Sequence, residues 1–326
     1  MHENVIVLND SDDQVQIDVL TSFYLSDIYI DNFVKSLVAL NDNISICWIV
    51  VVNSPAETTL NLLRNAIAST RLKTKLVLLD GVESIFSSYN RALRHSSSML
   101  IAFYDMDDIR YPDSLLKQYN TLIKSNADAS YGDIDIVYDY NGPIIDHYSR
   151  PSYSINTFLE NSIWSPTQVY YSYVFELIGQ FDEQYLTAGD YEHQCRFAKA
   201  GLTAVKTEGV LLKYLISNTP SKIHRQNQKV ECIAIWDRYN LSHKYTSKDN
   251  IALYIESKKY NKRVILQNGK RDPISKYCVI PKTNLLATLA NMFLSIFWHI
   301  FNSSKLILRH LRSYFLKFLH VYSLTK

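Results

Sequence analysis

Acidic side chains are concentrated at two places in the chain, and both fit chemistry on a charged substrate. Asp105, Asp107 and Asp108 directly follow an apolar run at residues 99–104. Carboxylates this close repel one another, so the cluster is costly unless a cation lies beside it. Oxygen ligands of this kind suit Mg²⁺ or Mn²⁺, which bridge protein carboxylates to the oxygens of a phosphorylated substrate. A solvated, Asp-rich turn is the alternative interpretation.

The second place is the segment 179–201, in which Asp190 stands at the start of a helical pattern. An Asp in such a position is commonly the N-cap of the helix, which is the purely structural interpretation. The same carboxylate, if it faced a cleft, could accept a proton from a substrate hydroxyl. The positive end of the helix dipole would keep its pKa low and the base ionised. Asp190 is therefore a candidate catalytic base.

The segments that must position these acids alternate between strand-like and helix-like patterns. Strands are predicted at residues 17–24, 44–52, 75–79, 99–104 and 168–171, with two short strand segments within 129–140. Helices are predicted at residues 29–40, 58–69, 84–95, 114–125 and 191–200, with a short helix within 160–179 and one helix or a pair of helices at 222–243. Strands that alternate with helices predict an α/β fold with a mostly parallel sheet. Such sheets bind ligands beyond the carboxyl ends of their strands, where the Asp105 cluster would lie.

Charge divides the chain into an acidic front and a basic rear. Residues 1–221 carry 15 Lys and Arg against 27 Asp and Glu, whereas residues 222–282 carry 14 against 5. Residues 283–326 carry 5 basic side chains and no acid, and residues 285–301 are uncharged. A basic amphipathic segment beside an apolar one is typical of an interfacial membrane anchor. A helical hairpin packed on the protein or on a second subunit is the alternative.

The composition excludes several classes of protein. With 47% hydrophobic and 20% charged residues, the chain can bury a sizeable core and is not disordered throughout. Its four cysteines include no C-x-x-C pair, so we expect reduced thiols and neither a zinc site nor a disulfide scaffold. The basic segment shows no interleaved pattern of aromatic residues that would form a stacking platform, so no nucleic-acid partner is expected. The polar, acidic start does not fit a secretory signal peptide, so we expect a cytoplasmic protein.

Four sequence elements together resemble the inverting glycosyltransferases of family 2, which have the GT-A fold. The elements are residues 19–24, 87–93, 99–113 and 179–201. The resemblance implies an α/β, GT-A-like, Rossmann-related and mostly parallel sheet flanked by helices, with a C-terminal helical extension. It also implies that a sugar passes from a nucleotide-sugar donor to a hydroxyl of a glycan or polyprenyl-diphosphate-linked acceptor, with inversion. The implied setting is the synthesis of a surface polysaccharide such as an O-antigen or a capsule.

The resemblance assigns roles to individual residues. Asp107 would bind the divalent metal, Mn²⁺ or Mg²⁺, with Asp105 and His224 as further metal candidates. Asp190 would be the catalytic base. Contacts to the nucleotide sugar are assigned to Ser22, Tyr24, Asn53, Asn90, Asp105 and Asp107.

Departures from the family pattern leave other functions open. Asn53 stands where the family usually has an acid that reads the nucleotide base, and Gly189 stands where a Glu is frequent. A non-catalytic, glycosyltransferase-like interaction subunit is therefore one alternative. A nucleotidyltransferase is another, although the glycine-rich N-terminal loop that would hold a triphosphate is missing. The Q-x-x-R-W element of processive synthases is absent, so a single-addition enzyme is expected.

These observations predict three regions and a location. The regions are a GT-A-like catalytic domain at 1–240 with its core at about 15–240, a basic extension at 241–283 and a membrane-associating helical tail at 284–326. Because nucleotide sugars are cytosolic, we expect the protein on the cytoplasmic face of the membrane, attached to the inner leaflet through residues 285–322. A homodimer is a further partner that we leave open.

Overall fold

The structure, a computed structural model, describes residues 2–10, 14–164, 166–216, 222–241, 244, 251–260, 264–267 and 270–273. The strands are β1 Glu3–Leu8, β2 Ile17–Phe23, β3 Ile46–Asn53, β4 Lys73–Leu79, β5 Leu100–Phe103, β6 Asp108–Arg110, β7 Ala129–Val137, β8 Asp146–Tyr148, β9 Val169–Tyr171, β10 Ala204–Leu215, β11 Val264–Gln267 and β12 Lys270–Pro273. The helices are α1 Ile30–Asn41, α2 Glu57–Ala68, α3 Ile85–Arg94, α4 Ser114–Lys124, α5 Ile155–Glu160, α6 Tyr173–Ile178, α7 Gly189–Lys199, α8 Lys222–Arg238 and α9 Ile251–Ser257.

One mixed, mostly parallel sheet organises residues 3–215 in the order β1-β4-β3-β2-β5-β9-β7-β10-β6, with β8 paired to β7. Strands β4, β3, β2 and β5 are parallel neighbours, as the alternation of strands and helices predicted. Strand β9 is antiparallel to both β5 and β7, and β10 returns parallel to β7. The carboxyl ends of β2, β3 and β5 therefore meet at one edge of the sheet, next to the Asp105 cluster.

Both faces of the sheet are covered, which explains the continuous apolar runs in the central strands. In β3, Ile49 and Val51 pack into one core together with residues of α3 and α7. Trp48 and Val50 point to the opposite face and pack with residues of α1, α2 and α4. Because successive side chains of a strand alternate between faces, a strand covered on both sides needs an apolar residue at every position.

The remaining expectations are confirmed in part. Residues 129–140 form a single strand over Ala129–Val137 and not two segments. Strands β1, β6, β8 and β10 were not predicted. Cys47 and Cys195 are buried free thiols, and Cys232 is a half-buried one, as expected.

The chain continues beyond residue 240 with segments that contact the residues before it. Helix α9 packs on α8, and the Tyr260 ring stacks on Tyr185 at a centroid distance of 5.3 Å. In the part of the chain that the structure covers, we find no helix with the length and apolar character needed to cross a membrane. The membrane-associating tail predicted at 284–326 lies outside the described residues.

Candidate active site

The acidic cluster forms a tight turn at the carboxyl end of β5. The Asp108 amide donates a hydrogen bond to the Asp105 carbonyl at 3.2 Å, so the chain reverses within these residues. Asp108 then begins β6, where it pairs with Tyr214 of β10. This reversal brings three carboxylates to the sheet edge where parallel strands leave a ligand crevice.

Two tyrosines from other elements hold this turn. The hydroxyl of Tyr89, on α3, donates a hydrogen bond to Asp105 Oδ1. The hydroxyl of Tyr140, after β7, donates a hydrogen bond of 2.8 Å to the Asp107 carbonyl oxygen. The first bond fixes a carboxylate and the second fixes the backbone that carries the next one.

The electrostatics of the cluster show a shortage of positive charge. Burial raises the pKa of Asp105 to about 6, the Tyr89 hydrogen bond opposes this rise, and repulsion from Asp107 and Asp190 adds to it. Burial also raises the pKa of Asp107. Burial raises the pKa of Asp108 far above its usual range, with repulsion from Asp107 and Asp105 adding to the effect, while a hydrogen bond from the Leu215 backbone and the charge of Arg110 oppose it. Among the described residues, none donates a hydrogen bond to the buried Asp108 Oδ1.

Asp190 lies in the first turn of α7 and is not its N-cap. The N-cap is Ala188, so the capping role considered for Asp190 is wrong. Asp190 Oδ1 accepts a hydrogen bond of 2.8 Å from the Tyr191 amide. Its side chain is half-buried, so its carboxylate retains access to a ligand.

Asp105 and Asp190 line the same cavity of about 320 Å³. Its apolar lining consists of Ile85, Phe86, Phe103, Pro166, Phe181 and Leu186. Its polar lining consists of Tyr89, Asp105, Gln168, Thr187, Asp190, Tyr214 and Gln228. No Lys, Arg or His belongs to this lining among the residues that the structure describes, so the cavity carries negative charge alone.

The donor set fits a divalent cation shared with a ligand. Within the described residues, no three His, Cys, Asp or Glu side chains converge to enclose a metal ion. Carboxylate oxygens are nevertheless the ligands that Mg²⁺ and Mn²⁺ prefer, and such sites commonly use one or two carboxylates plus substrate phosphates. The mutual repulsion and the unpartnered Asp108 Oδ1 both favour a cation beside this turn.

The polar residues at the ends of β2 and β3 do not line this cavity. Ser22 is half-buried within β2, and Tyr24, just past its end, is 48% exposed. Asn53 is buried, and both ends of its amide contact protein groups. Its Nδ2 donates to the Phe23 carbonyl at 3.3 Å and to Ser88 Oγ at 3.1 Å, and its Oδ1 accepts from the Glu83 amide at 3.0 Å.

Asn90 connects α3 to the segment that precedes Asp190. Its Nδ2 donates to the Phe181 carbonyl and to Glu183 Oε1, both at 2.9 Å, and its Oδ1 accepts from the Phe181 amide at 2.9 Å. Asn90 is fully buried and lies outside the cavity lining. His224 is in the first turn of α8, and its side chain is outside the described part of the structure.

A buried ion network joins α7 to the segment 178–182 and to α8. Arg196 donates to the Ile178 and Gln180 carbonyls and to Glu192 Oε2, each at 2.7 Å. Arg238 donates to Asp182 Oδ2 at 3.1 Å and to Glu192 Oε1 at 3.0 Å. The two cations balance the two carboxylates, so charges that would be costly alone are paired.

Gly189 is the position at which family 2 frequently has a Glu, and the structure explains why a side chain is missing here. A Cβ at Gly189 would lie 2.7 Å from the Phe86 ring. Phe86 thus occupies the space beside Asp190 and forms part of the apolar wall of the cavity.

Solved structures with this architecture share low sequence identity with the chain, and they include a protein in complex with UDP and a mannosyltransferase. S. aureus TarS 1-349 in complex with UDP matches with a TM-score of 0.53 and 15% identity, over 68% of this chain and 64% of that one. S. aureus TarS matches with a TM-score of 0.51 and 16% identity, over 68% of this chain and 40% of that one. The match therefore spans less than two thirds of either TarS chain. The mannosyltransferase PcManGT from Pyrobaculum calidifontis, with GDP-Man and Mn²⁺, matches with a TM-score of 0.53 and 14% identity, over 87% and 81%.

These similarities show the GT-A fold that the strand order and the sequence elements indicated. No curated protein matches the chain. The sequence model of glycosyl transferase family 2 matches residues 18–182, half of the chain, and includes the Asp105 turn. Asp190 lies just beyond the end of this match. The chain belongs to glycosyl transferase family 2.

Proposed function

We propose that this protein transfers a single sugar from a nucleotide-sugar donor to an acceptor hydroxyl, with inversion at the anomeric carbon. The observation that carries the proposal is that Asp105 and Asp190 face one cavity at the carboxyl edge of the sheet. An inverting displacement needs a site for the leaving diphosphate and a base on the acceptor side. Two separate carboxylates in one cavity supply these two functions.

On the donor side, we assign Asp107 as a ligand of Mn²⁺ or Mg²⁺ and Asp105 as a second ligand or a contact to the sugar nucleotide. The cavity lining has carboxylates and no cation among its described residues, so a diphosphate alone would be repelled. A bound divalent ion supplies Lewis-acid stabilisation of the charge that develops on the departing diphosphate. The structurally similar proteins in complex with UDP, or with GDP-Man and Mn²⁺, support a nucleotide sugar as donor.

Asp190 acts as the base in this proposal. Its carboxylate accepts the proton of the acceptor hydroxyl while the hydroxyl oxygen attacks the anomeric carbon from the face opposite the diphosphate. The bond from that carbon to the diphosphate oxygen breaks, and the leaving group departs with the electron pair. Asp190 lies in the first turn of α7, where the N-terminal end of the helix dipole attracts negative charge.

Ser22 and Tyr24 are proposed to contact the nucleotide, because they lie at the end of β2 beside the Asp105 turn. Asn53 and Asn90 remain proposed contacts of the nucleotide sugar. Their hydrogen bonds also support a positioning function, since Asn53 holds the Phe23 carbonyl and Asn90 holds the Phe181 backbone. His224 remains a proposed metal ligand.

For the acceptor, we propose a glycan or a polyprenyl-diphosphate-linked sugar at the cytoplasmic face of a membrane, in polysaccharide synthesis. The basic composition of residues 222–326 supports attraction to anionic lipid, with residues 285–322 as the attachment segment. A homodimer formed through the same segment remains the alternative to membrane attachment. Family membership supports a transferase of sugars over a nucleotidyltransferase.

Calorimetric titration with UDP, GDP and dTDP, each with and without Mn²⁺, tests the proposal. We expect one nucleotide to bind in a Mn²⁺-dependent manner, and Asp107→Ala to reduce that binding at least tenfold. Asp42→Asn is the matched control, because Asp42 is an exposed carboxylate at the opposite end of α1 and should leave binding unchanged. Absence of binding by all three nucleotides under both conditions would favour the non-catalytic interaction subunit.

A further inference from the structure

A carboxylate from α8 lies beneath the loop that leads into Asp190. Glu231 is fully buried and accepts four hydrogen bonds from three consecutive residues of that loop. The amides of Leu186, Thr187 and Ala188 each donate at 2.8 Å, and the Thr187 hydroxyl donates at 2.7 Å. The side chain thus spans from one helix to the start of another.

The bonded groups form an anion-binding concavity at the N-terminus of α7. Three successive backbone N–H groups that converge on one point bind a negative charge, and the N-terminal end of a helix dipole adds to the attraction. Ala188 is the N-cap of α7, so its amide belongs to this terminus. In this protein, the concavity is filled by the protein's own carboxylate. A substrate phosphate therefore has to bind elsewhere.

The bonded loop also shapes the cavity. Leu186 and Thr187 line it, and Asp190 follows two residues after Ala188. A shift of the loop would therefore move the wall of the cavity and the first turn of α7 together. Reaction rates respond strongly to displacements of about 1 Å in a catalytic group.

Helix α8 is a rigid support for Glu231. Val230, Ala234 and Ile235 are 2%, 0% and 0% exposed and belong to the same core cluster as residues of α7, so the helix is packed on that core. Near the end of α8, Arg238 is bonded to Asp182 and Glu192. Glu231 therefore anchors residues 186–188 to α8, and α8 is itself anchored to the protein through Arg238.

From this geometry we infer that Glu231 is a positioning residue that sets the direction of Asp190 toward the reacting hydroxyl. The inference rests on the proposed function of Asp190 as the base. It adds a residue that lies outside the family match at 18–182 and outside the lining of the cavity. Its effect is carried by the backbone of residues 186–188.

The experiment compares Glu231→Gln, Glu231→Asp and Thr187→Ala with the parent protein and with Glu208→Gln, an exposed glutamate on β10. The three sugar nucleotides UDP-GlcNAc, UDP-glucose and GDP-mannose are first compared for binding in the presence of Mn²⁺. The measured reaction is then the hydrolysis of the one that binds most tightly, in which water replaces the acceptor hydroxyl. We expect Glu231→Gln to lower kcat by 10- to 100-fold with KM for the sugar nucleotide changed less than threefold. Glu231→Asp should recover part of kcat, and Thr187→Ala should lower kcat a few-fold.

Hydrogen exchange of the peptide around residues 184–190 gives a readout that does not depend on activity. Glu231→Gln should speed exchange at the Leu186, Thr187 and Ala188 amides, whereas Glu208→Gln should not. Unchanged kcat and unchanged exchange in Glu231→Gln would overturn the inference. If Glu231→Gln does not fold, unchanged kcat in both Thr187→Ala and Glu231→Asp would overturn it. A parent protein that binds no nucleotide would instead overturn the proposed function.

Discussion

The Tyr89 hydroxyl donates a hydrogen bond to Asp105 Oδ1, and this bond joins α3 to the acidic turn after β5. The bond favours the ionised carboxylate, whereas burial and the neighbouring acids oppose it. Tyr89 also lines the cavity beside Asp105. Its hydrogen bond therefore lowers the pKa of Asp105 and orients the Asp105 carboxylate.

Replacement of Tyr89 by Phe should weaken Mn²⁺-dependent nucleotide binding more at pH 6 than at pH 8. Loss of the hydrogen bond raises the pKa of Asp105 above its value of about 6, so less carboxylate is ionised at pH 6, whereas at pH 8 the carboxylate is largely ionised with or without the bond. Calorimetric titration at the two pH values measures the difference, which we expect to be several-fold. Tyr173→Phe, which removes an exposed hydrogen bond to Asp128, is the control. An equal loss at both pH values would contradict this explanation.

Asp105→Asn should stabilise the metal-free protein at pH 8. The pKa of Asp105 in the folded protein, about 6, is higher than the ordinary value of 3.8. The ionised side chain therefore destabilises the folded state above pH 6. This loss of stability decreases as the pH falls and the carboxylate is protonated. Removal of the charge should raise the free energy of unfolding by about 1–2 kcal/mol at pH 8. The gain should shrink at pH 5. Thermal unfolding in EDTA measures it, with Asp42→Asn as control, and a variant less stable than the parent at pH 8 would refute the argument.

Arg238→Met should destabilise the protein strongly, because it leaves the carboxylates of Asp182 and Glu192 buried with Arg196 as their remaining partner in the network. Breaking a buried pair in this way costs about 3–5 kcal/mol. Burial raises the pKa of Glu192 while Arg196 and Arg238 lower it, and the net shift is downward. Loss of Arg238 raises this pKa again, so the deficit should decrease as the pH falls toward 5. Urea unfolding at pH 7.5 and pH 5 tests this, with the half-exposed Arg64→Met as control.

Gly189→Ala should destabilise the protein and narrow the cavity, because the new Cβ would meet the Phe86 ring at 2.7 Å. Overpacking of this kind costs about 1–3 kcal/mol. The double variant Phe86→Ala with Gly189→Ala should be less destabilised than the sum of its two single variants. Denaturant unfolding of all four proteins measures this coupling, and strict additivity would show that the two residues do not compete for space.

The central strands and helices could be predicted from sequence because each has a strong local pattern. The continuous apolar run of β3 reflects cover on both faces of the sheet, and the Asp105 turn lies where an apolar run ends. Strand β10 was missed because its polar positions include Lys206 and Lys213, which are half-buried, and Glu208, which is exposed. Its register also shifts near Gly209, which has a φ of +83°. The period of two that marks a strand is lost there.

The partners of the acidic residues were not predictable in the same way. Asp105 and Asp190 were candidates because strand ends and helix starts are visible in sequence. Tyr89, Tyr140 and Glu231 act through contacts between residues that are distant in the chain, and nothing in their local sequence marks those contacts. Asn53 was considered only as a ligand contact, yet its amide is bonded to three protein groups.

The stacking of Tyr260 on Tyr185 affects how shortened forms of this protein should be interpreted. Arg238 Nη2 also donates to the Tyr260 carbonyl at 3.0 Å, so Tyr260 contributes to the network behind α7 through both its ring and its backbone. A chain cut after residue 241 would keep the whole family match and every acid of the cavity, but would lose this support. We expect such a fragment to be less stable and to show low activity for that reason. Its inactivity would then be mistaken for an absence of catalytic function. A shortened chain must therefore retain Tyr260 if its inactivity is to be informative about catalysis.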